Sequence, residues 1–176
     1  MSELTMAGVV SVFTILSWVL AVGVYSACPR GWLAVSDDCL MFAKGRLSWI
    51  DAAKSCKHNN ESVLVTIDSY DKMAQINTIA KVLASPTIGM IGFWTGGNDF
   101  GIEGVWRWEE TNEQISGFTN WAPGSPDGKS AENCMTVGFA PNSTDTFWKD
   151  APCSGHHNYI CQFSLNTGGS QVIGRK

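Results

Sequence analysis

The segment WAPGSPDGKSAENC, from Trp121 to Cys134, holds two prolines, glycine and serine at its turns, and the carboxylates of Asp127 and Glu132 just ahead of a cysteine. Proline and glycine at these positions break both helix and strand, so the segment reads as a loop. A loop of this length inside a compact domain tends to be functional. Its carboxylate and amide oxygens are what calcium takes as ligands, roughly six to eight at a time. The chemistry expected of the segment is therefore ligand binding around a divalent cation.

Other patterns offer less. His156-His157 follows Cys153, but neighbours on a strand point to opposite faces, so the pair reads as loop histidines and not as metal ligands. Gly124 to Gly128 has the outline of a nucleophile motif, yet proline follows Ser125 directly and no strand-turn-helix pattern surrounds it. Gly96-Gly97 runs into Asn98-Asp99 and makes no phosphate loop. Carboxylate pairs occur without the signature of a deep apolar cleft, which argues against a glycosidase. The cysteines include no C-x-x-C pair, which argues against zinc. The expectation is a binding protein, not an enzyme.

The 176 residues, 44% hydrophobic and 16% charged, suit one globular domain with a substantial core. A net charge of −4 and the absence of any lysine or arginine run exclude a nucleic-acid partner. Most of the eight tryptophans are expected in the core. Residues 4–25 form a charge-free apolar run followed by the small residues Ser26 and Ala27. Residues 1–27 are expected to be a signal peptide cleaved after Ala27, which makes the mature chain secreted and extracellular. The run is long enough to span a bilayer, so a membrane anchor is the alternative. Six cysteines (28, 39, 56, 134, 153 and 161) lie beyond it, and an even number in a secreted chain implies three disulfides. Their pairing is open at this point. Asn60-Glu61-Ser62 and Asn142-Ser143-Thr144 are sequons, so Asn60 and Asn142 are candidate glycosylation sites.

The elements that must position the loop follow from local pattern. Cys28 to Ala43 reads as paired strands turning at Asp37-Asp38. Ser48 can cap a helix with Trp49, Ala52, Ala53 and Cys56 on one face. SVLVTI (62–67) is a strand candidate. Asp68 or Ser69 can cap a second helix with Met73, Ile76, Ile79, Ala80 and Leu83 at helical spacing, ending by Pro86. Short strands are expected at 93–97, 105–110, 134–139, 146–151 and 158–163, separated by long loops. Two helices followed by a strand-and-loop half give an α+β class. The glycine-rich residues 164–176 are expected to be a flexible tail.

In order along the chain, CPRGW (28–32), the helix with Trp49 and Cys56, FWTGGND (93–99), EGVWRW (103–108), FTNWAPGSPD (118–127), ENC (132–134), FWKDAPC (147–153) and YICQ (159–162) resemble the C-type lectin-like domain. The resemblance covers about Cys28 to Phe163. It implies the long form of that fold, two helices with small antiparallel sheets and long loops, and the pairing Cys28–Cys39, Cys56–Cys161 and Cys134–Cys153.

It also implies a ligand set. In sugar-binding members a tripeptide with a central cis proline, a glutamate before a cysteine and a Trp-Asn-Asp strand hold calcium, and vicinal sugar hydroxyls complete its coordination. The matching positions here are Ser125-Pro126-Asp127, Glu132 and Trp148-Lys149-Asp150. Asp127, Glu132 and Asp150 keep their carboxylates. Ser125 replaces a longer Glu or Gln, and Lys149 replaces an asparagine and brings no side-chain oxygen. An accessory cation site would use Asp99, Glu103 and Asn133 together with Glu132, with Gly128 where some members have an acid.

Asp127 leans toward galactose-type sugars, although no ring follows the tripeptide. The resemblance thus implies a secreted, calcium-dependent lectin of innate immune pattern recognition, with carbohydrate on glycoproteins or microbial surfaces as partner. A weak single site of this kind gains from homo-oligomers. The alternative, favoured by Ser125 and Lys149, is a calcium-independent module that binds a protein, glycan or mineral surface.

Overall fold

The computed structural model describes residues 28–83, 92–139 and 143–165. The expected signal peptide, the helix stop at Pro86, the sequon residue Asn142 and positions 166–176 lie outside the described residues.

Two strands, β1 (Leu33–Val35) and β2 (Asp38–Leu47), form the first hairpin. Its turn falls at Ser36-Asp37, one residue earlier than the pattern suggests, and Ser36 adopts φ 54°. Helix α1 (Trp49–His58) follows. Ser48 caps it: its Oγ accepts from the Asp51 amide at 3.3 Å and donates to the Asp51 carboxylate at 2.7 Å. Ser48→Ala removes both bonds and is expected to cost about 1 kcal/mol in urea unfolding.

Strand β3 covers only Val63–Leu64, and helix α2 (Tyr70–Leu83) starts after Ser69, whose Oγ accepts from the Lys72 amide at 3.4 Å. Then come β4 (Phe93–Asn98), β5 (Arg107–Trp108), β6 (Cys134–Phe139), β7 (Thr146–Ala151) and β8 (His157–Ser164). They join in one eight-stranded sheet ordered β1-β2-β8-β4-β6-β7, with β3 beside β8 and β5 beside β4. All pairings are antiparallel except β4 with β8, so the sheet is mixed. The last ladder runs past Phe163, since Ser164 pairs with Asp38 and the Leu165 amide donates to Asp37 O.

The three disulfides pair Cys28–Cys39, Cys56–Cys161 and Cys134–Cys153, as the resemblance implies. Trp49, Trp94, Trp106, Trp108 and Trp148 are all buried and serve the core, while Trp32 and Trp121 are half-buried. Trp148 is the centre of one half: Trp108, Phe118 and Trp121 each meet it edge-on at 5.6–5.7 Å. This aromatic packing makes a rigid floor beneath a half of the domain that is mostly loop.

Candidate cation and ligand site

The loop of residues 121–134 is held at both ends. Where it begins, the Ala122 amide donates to Trp148 O at 2.9 Å and the Trp148 amide donates to Asn120 O at 2.8 Å. Where it ends, Cys134 pairs across the ladder with Ala151 and is bridged to Cys153. Between these anchors Gly124 and Gly128 turn the chain with φ of +84° and +72°, a region that favours glycine. This gives a backbone reason for Gly128 where other members carry an acid. The Ser125-Pro126 bond is cis, as the tripeptide pattern implies.

The loop brings Asp127 and Glu132 to Asp150 on β7, with one ligand oxygen of each within 4.8 Å of the others. The Asp127 amide donates to Asp150 Oδ2 at 2.7 Å, which fixes the tripeptide against the strand. Asp127 Oδ1 accepts from the Lys129 amide at 3.1 Å, and Asp127 Oδ2 pairs with the Lys129 ammonium. The Lys129 side chain is the main reason the Asp127 carboxyl sits below the usual carboxylate range.

Lys149, the position whose charge the sequence singles out, is half-buried and forms no ion pair among the described residues. The ammonium that closes on the acids is that of Lys129. Sequence comparison with the tripeptide pattern overlooks it, although Asp-Gly-Lys is a recognisable turn in which an aspartate bonds the amide two residues on. Ser125 is half-buried, and its amide donates to Ala122 O at 2.9 Å.

The accessory set is assembled by strand register. Asn98 on β4 pairs with Cys134 on β6, so Asp99 and Asn133 lie side by side just beyond the ladder, with the Asp99 amide donating to Asn133 O at 3.3 Å. Asp99 is 4% exposed; its Oδ2 accepts from the Gly104 amide at 2.9 Å, while its Oδ1 and the Asn133 Oδ1 are buried without a hydrogen-bond partner. Orphaned acceptors on two residues joined by a backbone bond fit a cation, because an unpaired buried acceptor is otherwise costly. Glu103 is exposed beside them. Partial loss of water, then the carboxylates of Asp99, Asp150 and Asp127, push its pKa up, which puts both acid groups in one negative field.

A cis-proline loop stapled over an acid trio, on a two-helix mixed-sheet domain with these three bridges, defines a C-type lectin-like domain. The Lectin C-type domain family matches residues 45–163, and this chain belongs to that family. A perlucin-like protein of Mytilus galloprovincialis is 30% identical over 92% of this chain and all of its own length. The galactose-specific lectin nattectin of Thalassophryne nattereri is 26% identical over 88% of this chain and 96% of its own. Among solved structures, a calcium-independent type II antifreeze protein superposes with a TM-score of 0.64 at 25% identity, over 78% of this chain and 95% of that one.

Proposed function

We propose that this protein is a secreted lectin that binds carbohydrate through calcium held by Asp127, Glu132 and Asp150. The observation that supports this reading is the convergence of those three carboxylates around the cis Ser125-Pro126 turn. A bound calcium would supply open coordination positions for a pair of sugar hydroxyls. The chain itself does the rest. The Asp150 bond to the Asp127 amide orients the tripeptide, and the Cys134–Cys153 bridge keeps the loop from spreading. Asp99, Asn133 and Glu103 would hold a second cation that stiffens the same loop.

The name of nattectin supports the galactose-type lean that Asp127 suggests. Extracellular release, N-glycosylation at Asn60 and Asn142 and a role in innate recognition belong to the same reading. Asn60 is exposed, whereas Ser62 is buried with its hydroxyl donating to Cys56 O at 2.7 Å, so a glycan at Asn60 would be added before the domain closes.

Calorimetric titration of calcium into chelator-treated protein, followed by galactose and mannose with and without chelator, tests the proposal. Heat on calcium addition and a chelator-sensitive sugar response are expected. Silence at millimolar calcium favours the second reading, a calcium-independent module for a protein, glycan or mineral surface. That reading draws on the Lys129 ammonium already seated on Asp127 and on the antifreeze protein of the same fold.

Lys129→Ala separates the contributions. The Lys129–Asp127 pair is largely exposed and worth little to the fold, but its charge competes directly with a cation. The substitution is expected to tighten calcium binding by roughly three- to tenfold, with little change in unfolding midpoint. Unchanged affinity would mean that the ammonium leaves the site at no cost.

A further inference from the structure

Away from the loop, a cleft of about 380 Å³ opens between the start of β2, the start of α2, β8 and the segment 108–118. Its charged lining is four carboxylates, Asp38, Asp68, Glu110 and Glu113, against one ammonium, Lys72. That ammonium is already engaged. Lys72 is 3% exposed and its Nζ donates to Asp38 Oδ2 at 2.6 Å and to Gln162 Oε1 at 2.9 Å. Gln162 Nε2 in turn donates to one oxygen of Glu110 at 2.9 Å. The side-chain carboxylates of Asp68 and Glu113 have no partner among the described residues, and both residues are exposed. Thr66, 8% exposed, also lines the cleft, and its Oγ1 has no hydrogen-bond partner. Trp108 and Phe118 add an apolar wall.

We propose that this cleft is a second ligand site, one that takes a primary ammonium on a body the size of a monosaccharide. Its surplus charge is negative, so an anion is excluded and a cation is favoured. A bare metal ion does not suit it. Among the described residues, the acids that gather three together with ligand atoms within 4.8 Å of one another are Asp127, Glu132 and Asp150, none of which lines this cleft. Acids spread around a cleft wall suit a compact organic cation, whose N–H donors can reach several acceptors at once. The Thr66 hydroxyl supplies a further acceptor. Phe118, half-buried, and the small exposed part of Trp108 supply apolar contact for a carbon skeleton. The site is independent of calcium, since it shares no residue with the loop.

Amide chemical-shift mapping with glucosamine tests this, with glucose as the neutral counterpart of the same ring, both in excess chelator so that the calcium loop is silent. Glucosamine is expected to move the amides of Thr66, Lys72 and Glu113 in a saturable way, and glucose to leave them in place. The double variant Asp68→Asn/Glu113→Gln changes only exposed groups and is expected to weaken the response by at least about tenfold. Equal shifts with glucose and glucosamine, no saturable shift at these amides, or an undiminished response in the double variant would overturn the proposal. Failure of the calcium titration described above would leave this result untouched, because chelator is present throughout.

Discussion

Cys56→Ala/Cys161→Ala is expected to destabilise the domain by about 4–5 kcal/mol, the largest loss from any one bridge. The two cysteines are separated by 105 positions in sequence, against 11 for Cys28–Cys39 and 19 for Cys134–Cys153. In the chain-entropy account a bridge constrains the unfolded chain in proportion to the logarithm of the loop it closes, so the two short bridges should each contribute nearer 3 kcal/mol.

Both sulfurs are also fully buried, among Trp49, Ala52, Leu64 and Trp94, so truncation leaves unfilled space in the core. Cys161 pairs with Met41 on one side and Leu64 on the other, and loosening it frees α1 from the middle of the sheet. Urea unfolding of the three double-alanine variants gives the order. Calcium titration of the same variants should rank differently. Cys134→Ala/Cys153→Ala, cheaper for the fold, releases the base of the ligand loop and should weaken calcium most. If all three lose calcium in proportion to stability, the loop is not held by its own bridge.

Much of this arrangement was legible because the signals are local. Ser48 followed by Asp51, with Trp49, Ala52 and Cys56 on one face, is a helix start in any context, and α1 begins there. Strands 134–139 and 146–151 were legible to the residue, being short β-branched and aromatic runs between breakers. The run SVLVTI shows where local pattern stops. It suggests six strand residues, yet only Val63–Leu64 form a ladder. Val65 instead donates to Ile160 O and accepts from the Gly96 amide, so the chain wedges between β8 and β4. VWRWEE likewise shrinks to Arg107–Trp108, because its tryptophans serve packing against Trp121 and Trp148.

The candidate site divides the same way. The acid trio follows from positions matched to a family pattern, but which ammonium meets it depends on a turn. Lys149 had the suspicious position, and Lys129, two residues from Asp127, had the geometry. No periodicity marks Lys72 as buried either. Its partners lie 34 residues before and 90 residues after it, and only the folded sheet brings them together.

Lys72→Met is therefore expected to be the most damaging single change on α2, at about 3–5 kcal/mol by urea unfolding. The Lys72 and Asp38 side chains are 4% and 15% exposed, so the substitution leaves the Asp38 carboxylate nearly dehydrated and without its cation. The loss comes from that stranded charge rather than from the missing attraction, and this makes the prediction separable. In Lys72→Met/Asp38→Leu the charge disappears with its partner, and apolar groups of similar length replace both. Most of the lost stability should return, since burying an ion pair gains little over burying carbon. Gln162 Oε1 keeps the Thr66 amide as donor at 2.9 Å, so it is not orphaned in either variant. A double variant no more stable than Lys72→Met would assign the loss to the missing ammonium bond to Gln162 Oε1 and not to the stranded carboxylate. Recovery would show that the pair fixes how α2 docks on the first hairpin without itself adding net stability.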